Sequence, residues 1–236
     1  MTVNLTEKVS MHYFGHSAFM WRSPKGYRIL IDPYGNPTGP RWFHRPFPSV
    51  RCDIVLVTHP HFDHDAVDRV QGRPTFLRHP LELCGDDFRI RGIMGKHAKD
   101  FGQEFGQQNL IFIVQTAGIT FCHLGDNRAD LSEATLNALG EVDVLMVSVD
   151  ESQHLLTYAE VDQIVACLKP AIVIPMHYWI KGLTASTSSL GGIENWLAKI
   201  PNVRRIKTMG FEFTYKDLPS QREVWAFVGN ASAIFE

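Results

Sequence analysis

Cysteine is scarce and unpatterned in this chain. Cys52, Cys84, Cys122 and Cys167 are the only four in 236 residues, and no two form a C-x-x-C pair. Thiols so scattered read as reduced and mostly packed. An excess of positive charge is also missing: 23 Lys and Arg stand against 25 Asp and Glu, with a pI near 6.6. There is therefore no basic footprint for nucleic acid. No stretch reaches the roughly 20 apolar residues needed to cross a bilayer, and Met1 to Lys8 has no apolar core of signal-peptide length. Low-complexity linkers are absent too, so one domain over 1–236 is expected, in the cytoplasm, with no membrane span.

What the chain does have is Thr58-His59-Pro60-His61-Phe62-Asp63-His64-Asp65, three imidazoles and two carboxylates within eight residues. Ile54 to Val57 ahead of it is rich in β-branched residues and reads as a buried strand. Residues i and i+2 of an extended segment point the same way, so His59 and His61 can share one ion. Asp63 and His64 break that alternation. On a turn entering a helix over Asp65 to Val70 they swing to the other side and serve a second ion.

The pattern H-x-H-x-D-H after a hydrophobic strand resembles the metal-binding signature of the metallo-β-lactamase superfamily. The resemblance extends from about Tyr13 to Tyr178. Gly15-His16-Ser17-Ala18-Phe19 and Ile29-Leu30-Ile31-Asp32-Pro33 are similar to the opening hairpin of that superfamily. Gly95-Lys96-His97 ahead of a strand, Leu124-Gly125-Asp126, and Ile174-Pro175-Met176-His177-Tyr178 resemble its later metal motifs in order. Carried over residue by residue, the resemblance implies that His59, His61 and His97 hold one ion, that Asp63, His64 and His177 hold the other, and that Asp126 bridges. Nitrogen and oxygen donors with no thiolate suit two divalent ions, Zn²⁺ first, with Mn²⁺ or Fe²⁺ also compatible. It also implies an α/β fold, the four-layer αββα sandwich.

Periodicity supplies a scaffold. Met11 to Tyr13, Ala18 to Trp21 and Tyr27 to Ile31 read as an opening meander, the last two joined by Ser23-Pro24-Lys25-Gly26. Leu110 to Gln115 and Ile119 to Leu124 read as a hairpin delivering Asp126 past its second strand. Thr157-Tyr158-Ala159-Glu160 has the form of a capping box ahead of Val161, Ile164, Val165 and Leu168 on one helical face, stopped at Lys169-Pro170. Ala171 to Ile174 then carries His177 out of a buried strand. Helices are expected at Ser132 to Leu139 and around Ile193 to Lys199. Late strands are expected at Val144 to Val147, Val203 to Lys207, Phe211 to Tyr215 and Val224 to Val228.

Other residues carry two readings. His16 either faces the metal cleft or hydrogen-bonds within its hairpin. Asp32 reads as an acceptor that orients a ligating imidazole. Cys122 reads as packing, and His123 as structural or supporting. His12, His44, His79 and His154 have no motif behind them, although His154 follows a strand where active-site loops occur. The long loop 33–48 either walls a pocket or caps a core edge. Its Gly39-Pro40-Arg41-Trp42 run is similar to the branch containing ascorbate-phosphate lactonase and N-acylethanolamine-phospholipid phosphodiesterase, which makes Arg41 or Arg45 a candidate for an anionic group. Lys181 is another. Asn127-Arg128-Ala129-Asp130 and the 181–192 segment depart from the relatives' pattern, and no proton donor carries over.

The expected activity is hydrolysis of a small anionic ester, lactone or phosphodiester by metal-activated water, with Asp63 or Asp126 orienting the nucleophile. The alternatives are an iron-dependent redox protein on the same scaffold and a non-catalytic metal-binding protein. Diiron reductases with flavin partners carry glutamate where His61 stands, which argues against that subtype.

Overall fold

The computed structural model describes residues 6–228. The chain opens with β1 (Val9–Gly15), β2 (Ala18–Arg22) and β3 (Arg28–Ile31), followed by the short β4 (Val50–Arg51), β5 (Ile54–Leu56), β6 (Val70–Gln71) and β7 (Thr75–Leu77). There follow β8 (Leu81–Cys84), β9 (Phe88–Lys96), β10 (Gln108–Thr116), β11 (Ile119–His123), α1 (Glu133–Leu139), β12 (Val144–Ser148), α2 (Tyr158–Leu168) and β13 (Ile172–Met176). The chain then adds α3 (Glu194–Leu197), β14 (Val203–Ile206), β15 (Gly210–Phe213) and β16 (Glu223–Phe227).

Two sheets dominate. One has the order β15-β1-β2-β3-β5-β7 and the other β14-β16-β13-β12-β11-β10-β9-β8, with β4 and β6 forming a separate parallel pair. Their inner faces meet through large side chains: Trp21 of β2 lies 5.7 Å from Phe121 of β11, and Tyr13 of β1 lies 4.9 Å from Phe227 of β16. These residues are almost wholly buried, so the core sits between the sheets, as in an α/β sandwich. α1 packs against β9 and α2 against β12.

Local chemistry explains most elements. The β10–β11 turn is the two residues Ala117 and Gly118, both at positive φ, as a tight hairpin requires. The α2 capping box is complete: the Glu160 N–H donates to Thr157 Oγ1 at 3.2 Å, and the Thr157 N–H donates to Glu160 Oε2 at 2.7 Å. α2 ends at Lys169, in the left-handed conformation, before Pro170.

Three expectations need correction. The segment from Asp65 is not an α-helix; only Val67–Arg69 forms a 3₁₀ turn. The Arg69 N–H turns back to Ala66 O at 3.3 Å and the Val70 N–H to Val67 O, three residues back instead of four, and Val70 and Gln71 then pair with β4 instead of extending a helix. Secondly, His97 directly follows β9, and the next strand begins only at Gln108. Thirdly, the helix around Ile193 to Lys199 shrinks to Glu194–Leu197.

Within each sheet, the strands that carry the predicted site residues share one direction. β1 and β3 run alike because each is antiparallel to β2, and β5 is parallel to β3. β9 and β11 run alike because each is antiparallel to β10, and β12 and β13 are parallel to β11. Every motif therefore emerges beyond the carboxyl end of a strand, where open α/β sheets place their ligands.

Thr157→Ala removes the hydroxyl half of the capping box while leaving the core intact. It is expected to cost about 1 kcal/mol, seen as a lower urea midpoint at unchanged slope.

Candidate metal centre

The structure gathers the seven predicted residues, and one more, into two abutting clusters. His59, His61, His97 and Asp126 form one, and His16, Asp63, His64 and His177 the other; within each, the potential donor atoms lie within 4.8 Å of one another. All but the partly exposed His61 are buried. His59 and His61 thus part from Asp63 and His64, as the break in strand alternation predicts. His16, for which the sequence left two readings, joins the second cluster with Nε2 3.0 Å from Asp63 Oδ2.

Asp126 stands between the clusters. Its Oδ2 is 3.6 Å from His59 Nε2 and 3.5 Å from both His97 Nε2 and His177 Nε2, while Oδ1 is 3.3 Å from His64 Nε2. Most of these approaches are too long for good hydrogen bonds. The Nε2 atoms of His64, His97 and His177 and Oδ1 of Asp126 are buried without a hydrogen-bond partner among the described residues. Each such group costs about 1–3 kcal/mol if nothing satisfies it. Four orphaned atoms turned toward a shared gap, all nitrogen or oxygen, fit divalent cations well.

A second set of contacts fixes the rings. Asp32, fully buried, accepts from the Thr58 N–H at 2.8 Å and the Thr58 hydroxyl at 2.7 Å, and lies 2.8 Å from His64 Nδ1. This is the orienting role the sequence suggested for Asp32, and it turns His64 Nε2 inward. His97 Nδ1 contacts Ala98 O at 2.9 Å, and His59 Nδ1 contacts Thr58 Oγ1 at 3.0 Å. Both nitrogens of His123 are used, by Ser17 O and the Gly125 N–H, so it braces the two sheets. Cys122 is buried away from both clusters.

Sequence reasoning missed Asn109. Its Oδ1 accepts from the Asp126 N–H at 3.0 Å, and its Nδ2 donates to Leu124 O and Asn127 Oδ1. A fully buried amide at the head of the apolar run Leu110 to Val114 was the available signal. Gly125, at φ +56°, must be glycine, because a Cβ there would lie 2.5 Å from Asn109 Oδ1 and 2.8 Å from Thr58 Cβ.

The electrostatics are those of a charged cluster closed off from water. Burial opposes ionisation of Asp126, but His177 and His64 hold its carboxyl well below the usual range; His64 and His16 do the same for Asp63. Burial lowers His177, yet the facing Asp126 and Asp63 outweigh it and raise it to about 9. His64 is likewise raised against burial by Asp126, Asp63 and Asp32. His16 falls to about 3 through burial and the neighbouring His177.

Beside the clusters lies a cavity of about 340 Å³, with Trp42, Phe62, Phe101 and His154 in its wall. The 33–48 loop serves both suggested purposes: Trp42 reaches the cavity, while Tyr34, Phe43 and Phe47 are buried on the core edge. Arg41, Arg45 and Lys181 are exposed and do not line the cavity, so the expected cationic contacts are not placed there.

Residues 10–177 match the family model described as the beta-lactamase superfamily domain. The chain belongs to the metallo-β-lactamase superfamily. Among its relatives in that superfamily are UPF0173 metal-dependent hydrolases. That of Archaeoglobus fulgidus is 29% identical over 70% of this chain and 81% of its own length, and that of Pyrobaculum neutrophilum 28% identical over 72% and 84%. A proposed Zn-dependent hydrolase of the metallo-β-lactamase superfamily from Thermotoga maritima superposes with a TM-score of 0.71 at 24% identity, covering 92% of this chain and 97% of that one. CmlA, a diiron β-hydroxylase from Streptomyces venezuelae, shares the fold at a TM-score of 0.58 and 14% identity, over 88% and 54% of the two chains. Among the described residues no helix is long and apolar enough to cross a membrane.

Two outcomes are expected. Asp32→Asn disturbs the His64 ring and is expected to weaken metal affinity by about 10–100-fold in chelator competition. The facing carboxylates favour the protonated forms of His64 and His177 in the metal-free chain, so metal uptake at these imidazoles is expected to release protons, and affinity to rise with pH through the neutral range. Calorimetry in buffers of different ionisation enthalpy reads that release directly.

Proposed function

We propose that this metal-dependent hydrolase holds two divalent ions, zinc first among the candidates, and cleaves a small anionic ester, lactone or phosphodiester. The observation that carries this reading is the placement of Asp126 between two converging sets of donors. His59, His61 and His97 would hold one ion and Asp63, His64 and His177 the other, with Asp126 shared. Such a pair supplies, when bound, a water deprotonated near neutral pH and stabilisation of the developing oxyanion.

The chain's own residues prepare that chemistry. His16 Nε2 restrains Asp63 Oδ2, and the Asn109 side chain restrains the backbone of Asp126, so both carboxylates keep their aim. Their depressed pKa values keep them ionised and available to orient the nucleophile. The cavity, about 340 Å³, lies near the lower end of the range typical for small-molecule sites. A pocket of that size at the donor clusters favours catalysis over mere metal storage.

Metal analysis of protein purified without chelators, paired with assays on bis(p-nitrophenyl) phosphate, p-nitrophenyl esters and simple lactones, tests the reading. Asp126→Asn is expected to lower metal content from about two ions per chain to about one and to abolish hydrolysis. A chain that takes up no transition metal, or whose hydrolysis survives both His61→Ala and Asp126→Asn, would sink the proposal.

A further inference from the structure

Away from the donor clusters, the cavity wall follows a chemistry of its own. Four rings meet in sequence around it. Trp42 lies edge-on to Phe62 at 5.3 Å and 84° and edge-on to His154 at 5.8 Å and 71°, and His154 stacks on Phe101 at 4.9 Å and 21°. The charged groups of that wall are Asp100 and Glu104, and no lysine or arginine lines it. Lys99, next in the chain to Asp100, is committed to the Gln153 carbonyl.

The belt is held in place from outside. The Trp42 N–H donates to Asn36 Oδ1 at 2.8 Å, and Trp42 O accepts from the Ala185 N–H at 2.8 Å. The His154 N–H donates to Asp150 Oδ1 at 2.9 Å, and its Nδ1 contacts Ser189 Oγ at 3.0 Å. His154 Nε2 is left as the ring's uncommitted polar atom, with no hydrogen-bond partner among the described residues. These bonds anchor the backbone of Trp42 and both the backbone and the ring of His154, so the belt offers apolar ring faces and one hydrogen-bonding point. Glu104 lies 3.2 Å from His61 Nε2, which leaves Asp100 as the carboxylate a second negative charge would face on this side, with no lysine or arginine lining the wall to offset it.

We propose that Trp42, Phe62, His154 and Phe101 form the subsite for the part of the substrate beyond the scissile bond, and that this part is a flat, uncharged group of aryl size contacting His154 Nε2. The proposal rests on the metal-dependent hydrolase reading, with the reacting group held at the donor clusters. Substrate selection then comes from ring faces and from repulsion of further negative charge, not from arginine clamps.

Phosphonates separate the two halves of this idea, because each offers the same anionic head to the metal-loaded clusters. Zinc-loaded protein is titrated calorimetrically with methylphosphonate, phenylphosphonate and 4-carboxyphenylphosphonate. Phenylphosphonate is expected to bind at least about tenfold more tightly than methylphosphonate, and the added carboxylate is expected to erase that gain. Trp42→Ala should remove most of the difference between the first two compounds. Phe101→Ala, at an exposed position with little bearing on folding, should do the same. Equal affinity for the phenyl and methyl compounds, or tightest binding of the carboxylated one, overturns the subsite. Failure of all three to bind zinc-loaded protein overturns the subsite together with the anionic-substrate reading on which it rests, and leaves metal content as the separate test of the metal centre.

Discussion

Asp126 is the constraint on which the rest depends. A carboxylate only 3% exposed, with four imidazole nitrogens 3.3–3.6 Å away, has no place in a core held by packing alone. Burying charge is expensive unless opposite charge and hydrogen bonds surround it. Compensation has to arrive from several strands at once, which fixes how their ends lie relative to one another. Asn109 on β10 and the left-handed Gly125 fix the backbone from which this carboxylate projects.

The same demand accounts for unusual backbone at the strand ends. His16, Asp32 and His177, just past β1, β3 and β13, all have positive φ. For residues other than glycine this costs about 1–2 kcal/mol each, and it persists only where neighbours over-determine it. Here they do. The His177 N–H and the Tyr13 hydroxyl both donate to His16 O, each at 2.9 Å, and Asp32 is held by Thr58. Sharp turns at these points bring the side chains back over the ends of their own strands.

The candidate site was largely legible in the sequence because ligand chemistry is local: His59 to His64 lie in one run, and His97, Asp126 and His177 each follow a glycine-rich or apolar segment. Its supports were less so. Asn109 and Thr58 act through contacts with residues that follow a neighbouring strand of their own sheet, β11 and β3, so no local spacing announces them. β9 escaped notice because Gly92 brings no apolar side chain to a buried position of its alternation and the exposed Met94 breaks the pattern beyond it. The missing helix after Asp65 shows the opposite failure: the local reading allowed a helix, but Val70 and Gln71 at its far end pair with Val50 and Arg51, distant in the sequence, and leave only a 3₁₀ turn before them. The aromatic belt lies beyond any motif, since Trp42, Phe62, Phe101 and His154 come from four separate segments.

Thr58 O accepts the Leu110 N–H at 2.8 Å, tying the end of β5 to β10 across the sandwich. The donor clusters repeat that tie on a larger scale. His59 and His61 follow the first sheet while His97 and Asp126 follow the second; His16, Asp63 and His64 follow the first while His177 follows the second. Any cation coordinated across either set is a rivet between sheets that otherwise meet through apolar contact and a few hydrogen bonds at their ends. Occupancy and cohesion of the sandwich then become a single thermodynamic quantity. At free metal a hundredfold above its dissociation constant the rivet adds about 2.7 kcal/mol, so the supply of a trace element would set how long this protein survives as well as whether it works.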